Sequence, residues 1–220
     1  MFLQIENFLT VAEVKAISDL SLQAKFIDGR RSNPHNMTKH NVIGEPTDAA
    51  AQQAAQIALA ALQRNEAARD FAFPQRIAIP VLTRYDTGMT YGAHIDAAFL
   101  PVAERPMRSD VSCTMFVSDP AAYQGGELVV YLGSEEVRIK GQAGHAVFYA
   151  STAVHGVAPV TSGERLVMIA FIESQIPDPA QRDLLYSLNE VRAAEGLKMD
   201  WRSRTRLEYV SSNLQRMWSR

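Results

Sequence analysis

From Gln75 to Gln175 the chain is a succession of short runs rich in Val, Ile, Phe and Tyr: RIAIPVLTRYD, DVSCTMFVSD, GELVVYL, EVRIKG, HAVFYAS, HGVAPVTSG and RLVMIAFIES. Clusters of Gly, Pro, Asp and Ser separate them. Many short strands at close spacing indicate an antiparallel double-sheet barrel or sandwich rather than alternating βαβ units. The fold class expected is mainly β with flanking helices. Residues 75–177 form the β domain, 1–74 a helical or mixed support region, and 178–220 a helical C-terminal segment.

The flanks read as helices. Thr10 and Glu13 have the spacing of a capping box, and Val11, Val14 and Ile17 recur at helical intervals, which predicts a helix from Val11 to about Gln23. Thr47 is placed to cap an alanine-rich helix whose apolar face would be Ile57, Leu59 and Leu62. Asp178-Pro179 gives a cap followed by proline at the first helical position, with Leu184, Leu185, Leu188 and Val191 as the stripe and Gly196 at the end. The polar stretch DGRRSNPHNMTKHN between the first two helices reads as a loop or irregular strand.

The 220 residues, 47% hydrophobic and 21% charged, suffice for one sizeable core and argue against disorder. A net charge of -2 leaves no electrostatic footprint for nucleic acid or an anionic membrane. No stretch approaches the roughly 18 apolar residues of a membrane span, and MFLQIENFLTVAEVKAI lacks a basic leader. The lone Cys113 excludes an intramolecular disulfide and fits a reducing compartment. The expectation is a soluble, cytoplasmic protein.

The chemistry concentrates in Tyr85-Asp-Thr-Gly-Met-Thr-Tyr91-Gly-Ala-His94-Ile-Asp96. Residues two apart on a strand share a face, so His94 and Asp96 can both enter a barrel interior. His155 follows at the start of a later strand. Two imidazoles and a carboxylate make a facial triad on an octahedral ferrous ion, leaving room for a bidentate keto acid and dioxygen. Ten residues after His155 comes Arg165. A hairpin through Thr161-Ser162-Gly163 would fold its strand back beside that of His155, and its planar fork suits a ligand carboxylate.

Read singly, each of these residues has a plainer explanation: a core histidine, an edge arginine. As an ordered set they resemble the prolyl-4-hydroxylase-like branch of the Fe(II)/2-oxoglutarate dioxygenases, and within it the bacterial PKHD-type hydroxylases associated with iron uptake. The likeness runs along nearly the whole chain. It includes Asp28-Gly29-Arg30, the Tyr85–Asp96 run, Arg108-Ser-Asp110 and FVSDPAAYQGGELVV. It continues through Ala143-Gly144, His155-Gly-Val-x-Pro-Val-Thr-x-Gly-x-Arg165 and Asn213-Leu-Gln-Arg-Met-Trp218.

The resemblance implies a double-stranded β-helix (jelly-roll) core, iron on His94, Asp96 and His155, and Arg165 on the distal carboxylate of 2-oxoglutarate. It places Tyr85, and less directly Thr114, toward the co-substrate, and brings ascorbate as an accessory reductant. It implies hydroxylation of an unactivated C–H bond in a small-molecule or peptide substrate, with release of succinate and CO2. Asp96 favours hydroxylation over halogenation, for which the carboxylate is replaced. The segment Arg31–Lys39 departs from the family pattern.

Other groups are read against this frame. Gly125 and Gly126 serve backbone geometry. His145 is a rival third ligand, set aside because it lacks an arginine at the matching offset. Arg30, His35, Lys39 and His40 read as a solvated loop, with an anionic substrate or second metal as alternatives. Cys113 reads as core. Arg202, Arg204, Arg206, Arg216 and Arg220 read as a solvated helix face or subunit contact, and the helical flanks could form a homodimer surface. The long connection AFLPVAERPMRSD, carrying Phe99, Glu104, Arg105, Arg108 and Asp110, is a candidate lid. Competing readings are a non-catalytic iron or 2-oxoglutarate sensor, a nucleobase demethylase (which needs a basic, aromatic lid), and a zinc or manganese cupin, which would offer more histidines.

Overall fold

The structure is a computed structural model that describes residues 2–102 and 105–220. The N-terminal part supplies β1 (Phe2–Ile5), α1 (Val11–Ser21), β2 (Phe26–Asp28), β3 (Lys39–His40), β4 (Val42–Gly44), α2 (Ala49–Arg64) and α3 (Glu66–Ala72). Next come β5 (Pro74–Ile77), β6 (Val81–Tyr85), β7 (Thr90–His94), β8 (Phe99–Leu100), β9 (Met107–Arg108) and β10 (Val111–Phe116). Then follow β11 (Tyr123–Gly125), β12 (Leu128–Leu132), β13 (Glu135–Ile139), β14 (Ala146–Ala150), β15 (His155–Val157), β16 (Val160–Gly163) and β17 (Arg165–Ser174). The chain closes with α4 (Pro179–Glu195) and α5 (Trp201–Trp218).

Two antiparallel sheets face each other, as the strand texture requires. The larger has the order β1-β14-β10-β17-β6-β4-β2 with β5 also on β17, and the smaller β13-β12-β15-β7-β3. This is a jelly-roll core with flanking helices, and strands from the first 74 residues join both sheets.

Along β17, Leu166, Met168, Ala170 and Ile172 pack outward into a core shared with α2 and α3. The alternate residues Arg165, Val167, Ile169 and Phe171 therefore face the space between the sheets. On β10, Val111, Cys113 and Met115 point out into the same core, and Ser112, Thr114 and Phe116 point in. Cys113 is buried core, as its sequence neighbours suggested.

The Thr10–Glu13 capping box is present: the Glu13 N–H donates to the Thr10 hydroxyl, and the Thr10 N–H donates to the Glu13 carboxylate. On α2 the cap is Asp48, not Thr47, because the Asp48 carboxylate reaches the N–H groups of Ala50 and Ala51. Its buried face is Ala51, Ala54, Ala55, Ala58, Ala61 and Leu62, whereas Ile57 and Leu59 are only half-buried. Small side chains let this helix lie close against the sheet, so the alanines do the work expected of the larger residues.

Asp178 and Pro179 open α4 as read from sequence. Its buried positions are Leu185 and Arg182, while Leu184 and Val191 are exposed. Arg182 displaces the apolar stripe by donating to the carbonyls of Ile176 and Asp110. The arginines of α5 are exposed. Among the described residues no helix is long and apolar enough to cross a membrane.

Candidate active site

The smaller sheet brings the histidines together. His94 and His155 are direct partners across the β7–β15 ladder, with ring centroids 4.3 Å apart. Directly opposed residues of an antiparallel pair share a face, so both rings enter the space between the sheets. Asp96 lies two residues past His94, just beyond the end of β7. Its two carboxylate oxygens stand 3.8 Å from His94 Nε2 and 3.7 Å from His155 Nε2. Of the described residues, these three form the one cluster of His, Cys, Asp and Glu with metal-ligand spacing, their donor atoms within 4.8 Å of one another. His145 is not among them.

Each imidazole is held in the tautomer a metal requires. His94 Nδ1 lies 2.8 Å from the Gly92 carbonyl and His155 Nδ1 3.0 Å from the Ala153 carbonyl. A carbonyl only accepts, so Nδ1 carries the hydrogen and Nε2 offers its lone pair inward. Burial, reinforced by His155, pulls His94 down to about 4, which keeps it neutral at ordinary pH. Behind Asp96 runs a chain of buried hydroxyls. Ser109 donates to Ser151 (2.9 Å), Ser151 is 2.7 Å from Ser112, and Ser112 donates to Asp96 Oδ2 at 2.5 Å. Sequence reading missed this relay, since Ser109 and Ser112 lie about forty residues from Ser151 and share no signal with it.

A bulge in β7 adds a second unforeseen element. Three steps from Tyr91 to His94 face two from Val157 to His155. The extra residue brings Tyr91 onto the face of His94, and the rings stack at 3.6 Å with 14° between planes. Tyr149 meets His155 edge-on at 4.9 Å, and Thr114 is the polar neighbour of the Tyr149 hydroxyl. Thr114 thus faces the interior, but it does not line the cavity.

Arg165 arrives by a different route from the expected hairpin. Residues 160–163 form β16 against β11, and Arg165 opens β17 in the larger sheet, opposite Tyr85 on β6. With β15 already flanked by β12 and β7, the Arg165 strand has no place beside it. The side chain still turns into the space between the sheets, because β17 directs it inward from the facing layer, though it is not among the residues lining the cavity at the triad. Arg165 is 1% exposed, its guanidinium 5.0 Å from the Tyr85 ring and 5.9 Å from that of Phe116. None of its three nitrogens makes a hydrogen bond of good geometry among the described residues, and the Tyr123 hydroxyl is the one polar side-chain group close enough to interact with the guanidinium. Gly126 makes room for it: at φ +67°, a Cβ there would stand 3.0 Å from Arg165 Cδ. Tyr85 is buried, and that burial raises its phenol, opposed by the nearby arginine.

A cavity of about 840 Å³ opens from the triad, lined by Tyr85, Tyr91 and the three candidate ligands. Its lining includes apolar Ile79, Phe171 and Leu100 and polar Asn33, His35 and Lys39. Leu100 belongs to the connection expected to be a lid, whose residues 99–100 and 107–108 pair as β8 and β9. Arg76 anchors its base by donating to the carbonyls of Arg105 and Pro106. Phe99 is 60% exposed and does not line the cavity, and Glu104 lies outside the described residues. Arg30 and His40 are exposed, as a solvated loop requires, but Lys39 is 7% exposed.

Residues 80–173 match the 2OG-Fe(II) oxygenase superfamily. The chain is 49% identical over 208 residues to a PKHD-type hydroxylase of Sphingopyxis alaskensis, covering 94% of each. Its fold is similar to that of a Pseudomonas putida prolyl-4-hydroxylase (TM-score 0.54, 19% identity, 79% of this chain and 92% of that one). It is also similar to a Trichoplax adhaerens prolyl hydroxylase solved with a hypoxia inducible factor peptide fragment (TM-score 0.57, 17% identity, 83% and 86%). With nearly the full chain shared at that identity, this protein belongs to the PKHD-type hydroxylases, dioxygenases of the prolyl-hydroxylase-like branch of the 2OG-Fe(II) oxygenases.

Proposed function

We propose that the chain hydroxylates an unactivated C–H bond, with His94, Asp96 and His155 holding ferrous iron and Arg165 and Tyr85 holding the far carboxylate of 2-oxoglutarate. The observation that carries this reading is Arg165 itself. A fully buried guanidinium with, among the described residues, no acidic partner and no hydrogen bond of good geometry, only the Tyr123 hydroxyl beside it, is costly unless an anion completes it, and a carboxylate matches its fork. The donor set fits the metal equally well: two imidazoles and one carboxylate on one side leave the cavity side open.

Iron with 2-oxoglutarate supplies dioxygen-driven C–H oxidation that releases succinate and CO2. The chain's own contribution is orientation and shielding. The Gly92 and Ala153 carbonyls fix the imidazoles, and Ser112 holds one carboxylate oxygen of Asp96. The rings of Tyr91 and Tyr149 cover His94 and His155 from water, Thr114 positions the Tyr149 hydroxyl, and the β8–β9 pair walls the mouth. A small-molecule or peptide substrate fits the cavity. Ascorbate as reductant and a link to iron uptake extend this reading from the family resemblance.

The test needs no substrate. Anaerobic apo-protein titrated with Fe(II) and 2-oxoglutarate should develop a visible metal-to-ligand charge-transfer band. His155→Ala should abolish it, and Arg165→Ala should demand much more 2-oxoglutarate. Iron binding without any band would remove the oxygenase reading.

A further inference from the structure

Lys39 is a charged side chain that the proposed chemistry leaves unused, and it sits in the wall of the same cavity. It is 7% exposed, and its ammonium donates to the Ser32 hydroxyl at 2.6 Å. Its position is fixed by the ladder: Lys39 pairs with Tyr91, so both side chains share the inner face. The ammonium stands 4.9 Å from the centre of the Tyr91 ring, which itself stacks on His94. Lys39 is thus one aromatic ring away from the candidate metal ligands.

The charges at this site do not balance without a further anion. Among the described residues lining the cavity, Asp96 is the only acid. Ferrous iron, the Asp96 carboxylate, dianionic 2-oxoglutarate and Arg165 cancel formally. Lys39 then adds one positive charge in a site shielded from water. Asp28, the next acid within its field, is engaged by Arg30 at 2.6 Å. A buried cation is stable when a ligand anion completes it. Asn33 and His35 also line the cavity, and Ile79, Phe171 and Leu100 contribute apolar surface to its lining.

On the oxygenase reading above, we infer that the substrate is an amino-acid-sized carboxylic acid, its carboxylate on Lys39 and its apolar body against Ile79, Phe171 and Leu100. The residue determines specificity by binding and takes no part in the chemistry.

The experiment is anaerobic calorimetry on the Fe(II)·2-oxoglutarate protein with two matched probe sets: the N-acetyl derivatives of leucine, valine, proline and phenylalanine, and the corresponding N-acetyl amides. The acids should bind and their amides bind at least about tenfold more weakly. Lys39→Met should lose the preference for acids, and Lys39→Arg should retain most of it. Both variants should keep the parent's melting temperature within a few degrees, and their charge-transfer titrations should give the parent's 2-oxoglutarate affinity within about twofold. Equal binding of acids and amides, no binding from either set, or acid binding unchanged in Lys39→Met would overturn the inference and leave the oxygenase reading intact. Weaker 2-oxoglutarate binding in Lys39→Met would also overturn it, by assigning the lysine to the co-substrate. A parent without the band would remove the oxygenase reading and this inference together.

Discussion

Replacing Arg165 with Met removes from the folded apo-protein a buried cation whose three nitrogens make no hydrogen bond of good geometry among the described residues, the Tyr123 hydroxyl being the polar group beside it. Each buried donor left unsatisfied costs about 1–3 kcal/mol. Against that stand two ring contacts, with Tyr85 and Phe116, worth roughly 0.5–2 kcal/mol each. The unsatisfied donors win, and Met fills a similar volume, so the variant should be more stable by about 1–3 kcal/mol, within the range seen when buried ions give way to apolar residues. In a chain of this size that raises the apo-protein's melting temperature by about 3–8 °C. Binding should move the opposite way. Two parallel charge-assisted hydrogen bonds contribute about 3 kcal/mol or more, so the 2-oxoglutarate Kd should rise about 100-fold or beyond. Scanning calorimetry on metal-free protein and the charge-transfer titration read the two effects separately. A variant that melts several degrees lower and binds 2-oxoglutarate as the parent does would refute the reasoning, because Arg165 would then be a structural cation.

Three further outcomes follow from the geometry. Ser112→Ala removes the hydroxyl that holds Asp96 Oδ2 and should weaken Fe(II) affinity about tenfold or more, measured by competition with a chromophoric chelator, while the apo-protein's far-UV spectrum stays the same. Gly126→Ala and Gly133→Ala both place a side chain at positive φ, +67° and +66°, and each should lose about 1–2 kcal/mol by urea unfolding. Gly126→Ala alone should also raise the 2-oxoglutarate Kd, since its methyl meets Arg165 while that of Gly133→Ala meets nothing. For His94, the folded pKa of about 4 lies below the unfolded value, so the unfolded chain binds more protons between the two. Stability from this group is complete above about pH 6.5 and is lost as pH falls toward 4. Urea midpoints of apo-protein should decline over that window, and His94→Gln should flatten the slope.

Much of the fold was legible because its signals are local. The short β-branched and aromatic runs became the strands of both sheets, and Thr10–Glu13 and Asp178-Pro179 cap helices through bonds a few residues long. The candidate ligands were legible through an ordered motif. What was missed depends on partners distant in sequence. Alanines of α2 are buried because residues of α1 and of the larger sheet pack against them, a fact no helical wheel contains. Arg165 crosses to the larger sheet because β15 has both edges taken. The bulge in β7 is a mismatch between two strands, so Tyr91 gave no sign of stacking on His94. Lys39 looked solvated in a polar segment, and only its pairing with Tyr91 buries it.

The division of the site between layers has a mechanical consequence. The histidines sit on the smaller sheet and Arg165 on the larger, which are held to each other by packing and by the turns between their strands. A molecule gripping iron at one end and the guanidinium at the other acts as a strut across the sandwich, and resists any sliding or parting of the two layers. Hydrogen exchange should therefore slow together along β7, β15 and β17 when both metal and 2-oxoglutarate are present, and the metal alone should quiet only the layer that carries its ligands.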